Sequence, residues 1–224
     1  MGQAIGDVLP SAVGVALSPV PIIAAILILG TPRARSNGPA FALGWVAGLV
    51  VVSVVVVLLA SGADDPDSGS STTVDVLELA LGVAFFAMAR RQWQARPRDG
   101  VTPELPGWMQ TVDRFTPGKS LVLGAALSGV NPKNLALTLA ASASIAQAGL
   151  DGGETAVSIA VFVVIGSLTV AGPVLFAMIA KERATAGLAS MKQFMSEHNA
   201  VIMMVVLIVL GAKLLGSGIA GLSD

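Results

Sequence analysis

There is no cysteine in the 224 residues and only one histidine, His198. The first absence excludes disulfides, thiol redox chemistry and thiolate metal sites, and the second leaves few routes to a transition-metal centre. Charge is scarce too: Asp, Glu, Lys and Arg make up 12% of the chain, against roughly 25% in soluble domains. No nucleophile stands beside a base, no carboxylates pair within an apolar run, and no phosphate-binding loop occurs. Catalysis, ATP hydrolysis, a resident metal or cofactor and nucleic-acid binding are therefore not expected. Energy for any active transport must come from an ion gradient or a partner.

What is present is apolar. Hydrophobic residues make up 54% and the mean hydropathy is +0.80, which marks an all-α, polytopic integral membrane protein. A bilayer-crossing helix needs roughly 20 apolar residues. Six such runs occur, at about 5–30, 38–61, 73–92, 119–147, 153–180 and 198–220, here called spans 1 to 6. Span 1 has no basic residue ahead of it and no small-residue cleavage site closing a short apolar core, so it reads as a retained helix rather than a signal peptide.

Basic residues gather in alternate connections, which orients the spans by the positive-inside rule. Arg33 and Arg35 lie between spans 1 and 2; Arg90, Arg91, Arg96, Arg98, Arg114 and Lys119 bracket the connection between 3 and 4; Lys181, Arg183 and Lys192 lie between 5 and 6. Those connections are expected in the cytoplasm. Asp64, Asp65 and Asp67 follow span 2, and Asp151 and Glu154 follow span 4. Both termini are therefore expected outside the inner (plasma) membrane.

Ala16-Leu17-Ser18-Pro19-Val20-Pro21 in span 1 recurs as Ala126-Leu127-Ser128-Gly129-Val130-Asn131-Pro132 in span 4. A proline within a helix removes a backbone bond and clashes with the preceding turn, so in hydrocarbon the freed groups need protein, water or substrate. Paired breaks at corresponding places in two halves point to a transport site. With three spans per half, span 1 runs inward and span 4 outward, so the halves form a 3+3 inverted repeat. It comprises residues 1–92 and 119–224, joined by a cytoplasmic or interfacial linker at 93–118. A second echo, Leu81-Gly82 in span 3 and Leu210-Gly211 in span 6, falls where that pairing expects it. In the linker, Trp108, Met109, Val112 and Phe115 form an apolar stripe suited either to an interfacial helix or to a packed connection. Residues 62–72, rich in Gly, Ser, Asp and Thr, read as an outer loop. Gly44 and Gly48 in span 2 and Pro173 in span 5 read as features of close helix packing.

Asn131-Pro132-Lys133-Asn134 puts a break, two amides and a cation inside span 4. At about 1.5 Å per residue from Lys119, Lys133 lies roughly 21 Å above the inner face. A lysine at the membrane centre costs at least about 2.5–3.5 kcal/mol, so it must face protein or water. Lys213 in span 6 and Glu78 in span 3 fall at comparable depth. If these spans are neighbours, Glu78 serves one lysine as counter-ion, or carries a proton, and leaves the other for a carboxylate or phosphate. The alternatives are that Lys213 snorkels to the outer interface and that Glu78 ends a short helix. Lys133, Asn131, Asn134, Ser128, Ser18 and Lys213 make up the candidate substrate site. Pro19, Pro21 and Pro132 are its hinges, or else static kinks, with Ser11 beside Ser18 available to freed amides. His198 reads as interfacial.

Asn131-Pro132-Lys133-Asn134, preceded by Trp108 and by Thr116-Pro117-Gly118-Lys119, resembles the GAP (peptidoglycolipid-addressing, Sap-like) family of the lysine exporter (LysE) superfamily over essentially the whole chain. The resemblance implies a 3+3 bundle with proline-containing motifs in helices 1 and 4, matched by Leu17-Ser18-Pro19-Val20-Pro21 and Leu127-Ser128-Gly129-Val130-Asn131-Pro132. It also implies a part in moving peptidoglycolipids or related glycolipids to the cell envelope, and a homodimer. Better-known relatives export amino acids or cations. The first motif lacks the acidic residue of cation exporters, and Lys133 repels cations, so an anionic or amphiphilic substrate is expected. Three readings follow: a translocator of such a lipid or glycolipid, with membrane lipids as its partners; an exporter of a small organic anion or amino acid; and an accessory scaffold of larger envelope lipid-export machinery, with Lys133 paired internally.

Overall fold

The computed structural model describes residues 1–61, 70–94, 96, 107–180 and 182–222, with side chains except at 61, 70–75, 77, 78, 108, 110, 180 and 182–186. The described elements are all helical: α1 (Gly2–Ala16), α2 (Pro19–Leu29), α3 (Ala34–Ser61), α4 (Ser70–Gln94), a 3-10 helix (Gly107–Arg114), α5 (Pro117–Gly129), α6 (Pro132–Gln147), α7 (Gly152–Ala180) and α8 (Glu182–Gly221).

Both proline motifs break their spans, by the same local chemistry. Pro19 and Pro132 take the first position of α2 and α6, where a missing N–H costs no helical bond and the fixed φ suits a helix. Ser18 (φ −101°, ψ 100°) and Asn131 (φ −59°, ψ 121°) leave the helical region ahead of them, as a residue before proline does. The prolines therefore start new helices rather than kink continuous ones, and α1 and α2 are bent by 52°.

Three single helices are long and apolar enough to cross a membrane: Ala34–Ala60 of α3, Gly152–Ile179 of α7 and Gly187–Gly221 of α8. The bent pair α1–α2 makes a fourth if taken as one span. Spans 3 and 4 of the sequence are helical, as α4 and as α5 with α6, but are not among these. The chain is thus an all-helical membrane protein with three to four such spans among the described residues, where the sequence led to six. One connection is corrected: residues 182–197, expected as loop, form the first turns of α8. Ala184, Ala186, Leu188, Ala189, Met191, Lys192 and Gln193 are strong helix formers, and no proline interrupts them. The acidic stretch at 64–67, Arg98 and Lys181 lie outside the described residues.

Contacts group the chain into two compact units, Met1–Gly62 with Pro103–Ser196, and Ala63–Thr102 with Glu197–Asp224. In the first, α3 packs most extensively on α5; α1 packs on α6 and α7, and α3 also meets α6 and α7. Glycines permit this closeness, because helices in lipid gain from dispersion contact rather than from hydrophobic exclusion. A Cβ at Gly44 would collide with the Leu121 carbonyl, one at Gly48 with Ser128 Oγ, and one at Gly124 with the Phe41 carbonyl. The expected packing role of Gly44 and Gly48 is thus realised against α5. Trp45, Phe41 and Leu49 of α3, Ile22 and Ile28 of α2, Leu137 and Ile145 of α6 and Phe162 of α7 form the core of this unit. Met109 and Val112 of the 3-10 helix are buried, and that helix packs on α2; the Trp108 side chain of the stripe lies outside the described residues.

In the second unit, α4 runs antiparallel to the 197–221 portion of α8. A Cβ at Gly82 would lie 2.7 Å from Leu215 Cγ and 3.1 Å from the Gly211 carbonyl, and one at Gly211 would lie 3.0 Å from Phe86 Cδ2. The Leu-Gly echo of the sequence is thus a direct helix contact.

Candidate functional site

Within the first unit the two helix breaks meet. α1 ends at Ala16, and the last carbonyls of a helix have no intrahelical partner. Lys133, at the second position of α6, reaches across: its Nζ donates to the Leu17 carbonyl (3.3 Å) and to Ser18 Oγ (2.8 Å). Ser18 Oγ in turn donates to Asn134 Oδ1 (2.7 Å). Asn134 Nδ2 donates to the Leu127 carbonyl (2.9 Å), near the end of α5. The chain of bonds therefore ties the end of α1, the cap of α2, the end of α5 and the start of α6. Thr169 of α7 donates to the neighbouring Ala16 carbonyl.

Asn131 fixes the local turn. Its Oδ1 accepts from the Lys133 backbone N–H at 3.1 Å, which caps α6 and aims the next side chains at α1. Thr138 Oγ1 donates to the Asn134 carbonyl at 2.8 Å, one turn along. Lys133 is 6% exposed, Ser18 4% and Asn134 1%, so the cluster is sealed in protein. Electrostatically, a cation at the carbonyl end of α1 meets the negative pole of that helix, and charge-assisted bonds are the strong ones in a medium of low dielectric.

The sequence-derived candidates divide accordingly. Lys133, Asn134, Ser18 and Asn131 converge, and Pro19 and Pro132 start the helices that bring them together; Pro21 lies buried in the first turn of α2. Ser128 is placed elsewhere, its Oγ donating to the Ala125 carbonyl (3.2 Å) and facing Gly48 across the α3–α5 contact. Ser11 is buried on α1. Lys213 is half-buried on α8, in the second unit. Glu78 lies on α4 in that same unit, with its side chain outside the described residues. The Leu17 and Leu127 carbonyls and Thr169 were not legible: a main-chain acceptor has no sequence signature, and one threonine in an apolar run has little. No group of three or more His, Asp or Glu side chains that could hold a metal occurs among the described residues.

Fold and site together define a helical membrane protein whose two proline-started helix breaks are joined by a buried lysine. The chain belongs to the family described as Sap, sulfolipid-1-addressing protein, whose model matches residues 8–220. No curated protein and no solved structure matches it.

Proposed function

We propose that the protein is an inner-membrane transporter that moves an anionic or amphiphilic glycolipid toward the cell envelope, using the paired breaks as its substrate site. The observation that carries this reading is the buried Lys133, which joins both breaks through Leu17 and Ser18. The family description, sulfolipid-1-addressing protein, supports a sulfated glycolipid as the substrate class, because a sulfate is an anion that a lysine amine binds by the same charge-assisted hydrogen bonds. In this mechanism the clasp is the resting arrangement. An arriving headgroup replaces the Leu17 carbonyl and Ser18 hydroxyl on Lys133, the breaks part, and the bond of Ser18 to Asn134 is remade after release.

The same reading takes the chain as six spans in a 3+3 inverted repeat of the lysine exporter type, with both termini outside. The pairing of α3 with α5 and of α7 with α1 supports it, since a two-fold that exchanges halves turns one of these contacts into the other. The scaffold reading has one observation in its favour: Lys133 already has protein acceptors. Reconstituted liposomes distinguish the two. Wild type is expected to carry a sulfated glycolipid across the bilayer, and Lys133→Met to lose this while keeping most of its folded yield. Transport that survives the substitution, or folding lost in step with transport, would make Lys133 structural.

A further inference from the structure

We propose that the groove between α4 and α8 holds one anionic membrane lipid, an acyl chain along Phe86, Ala89, Met204 and Ile208 and the headgroup on Arg90. This goes beyond the transport site and does not rest on it, because the groove lies wholly in the second unit. Its volume is about 380 Å³, and it is lined by those five residues and Trp93. Such a volume falls in the range of small-ligand sites, roughly 300–1,000 Å³.

The lining is apolar except at Arg90, which stands between Ala89 and Trp93 along α4. Phe86 lines the groove beside Gly211, whose missing side chain lets α8 approach the ring. One turn along α4 stands Arg90, exposed beside the groove, followed by Arg91 in the last turn of the helix. Arg96 then folds back over Trp93, its guanidinium carbon 3.5 Å from the ring centroid and its Nη1 donating to the Trp93 carbonyl at 3.1 Å. That contact holds the indole in place and sets a second guanidinium against the ring face. Glu197 is the one acid among the described side chains of this unit, and it stands two turns before Met204 on α8. An apolar slot with one exposed arginine in its lining fits an acyl chain that ends in a phosphate or sulfate. A guanidinium binds such oxyanions bidentately, and basic recesses between membrane helices select acidic headgroups on the cytoplasmic side. A zwitterionic lipid fills the slot equally well but gains less at Arg90.

Native mass spectrometry of the full-length protein in detergent, given equal phosphatidylglycerol and phosphatidylcholine of identical chains, tests the proposal. Wild type is expected to retain one phosphatidylglycerol in preference by about fivefold. Arg90→Gln should bring the ratio near parity, Ile208→Trp should exclude both lipids by filling the slot, and Lys133→Met should leave the preference unchanged. Glycerol phosphate should not displace the lipid. Equal retention by wild type, an unchanged ratio in Arg90→Gln, or displacement by glycerol phosphate would overturn the proposal. A preference lost in Lys133→Met but kept in Arg90→Gln would also overturn it, by assigning the lipid to the helix breaks.

Discussion

A lysine amine inside an apolar bundle must find acceptors, and Lys133 finds two that the end of α1 supplies, the Leu17 carbonyl and Ser18 Oγ. Ser18 both accepts from Lys133 and donates to Asn134, so its hydroxyl sits at the centre of the cluster. Ser18→Ala takes one acceptor from the buried Lys133 amine and the hydroxyl donor from the buried Asn134 amide oxygen, which is expected to destabilise the protein by about 1–3 kcal/mol. Ser128→Ala removes only a 3.2 Å bond within one turn of helix and is expected to cost under about 1 kcal/mol. Thermal unfolding of both variants in the same detergent checks the contrast; equal losses would remove Ser18 from the centre. Lys133, Asn134 and Ser18 were legible in the sequence because charge and amide groups are rare in apolar runs and need a reason to be there. Ser128 was misplaced because a serine of a repeated motif looks the same whether it faces a break or a glycine.

At the scale of elements, proline and glycine do different work. The prolines fix where α2 and α6 begin, and this was readable because the sterics of X-Pro are local. The glycines set how closely α3 and α5 approach, and only half of that was readable: Gly44 and Gly48 stand in a recognisable spacing, whereas their counterpart Gly124 does not. Gly124→Leu would drive a side chain into the Phe41 carbonyl and is expected to abolish the folded yield, since overpacking costs about 1–3 kcal/mol even where neighbours can yield and backbone cannot. Gly118→Ala meets nothing within 4 Å and should fold as wild type, as size-exclusion profiles would establish. The start of α8 was missed because hydropathy marks where a helix enters lipid, not where it begins. Lys192 and Gln193 are polar and still strong helix formers.

For the whole molecule, the basic connections of the sequence lead to an expected orientation by the positive-inside rule. Single cysteines can be added without background, since the chain has none. At exposed Gln3 and Ser36, an impermeant maleimide is expected to label the first from outside intact cells and the second only after lysis; the reverse pattern would invert the topology. The same absence permits a direct test of the two breaks as a working site. In the variant Ser18→Cys a thiol takes the place of a hydroxyl that is 4% exposed, so a maleimide reaches it only when the breaks part. Sulfated glycolipid added to the liposomes is expected to speed that labelling. Labelling that the glycolipid leaves unchanged would contradict a transport site formed by the parting of the breaks.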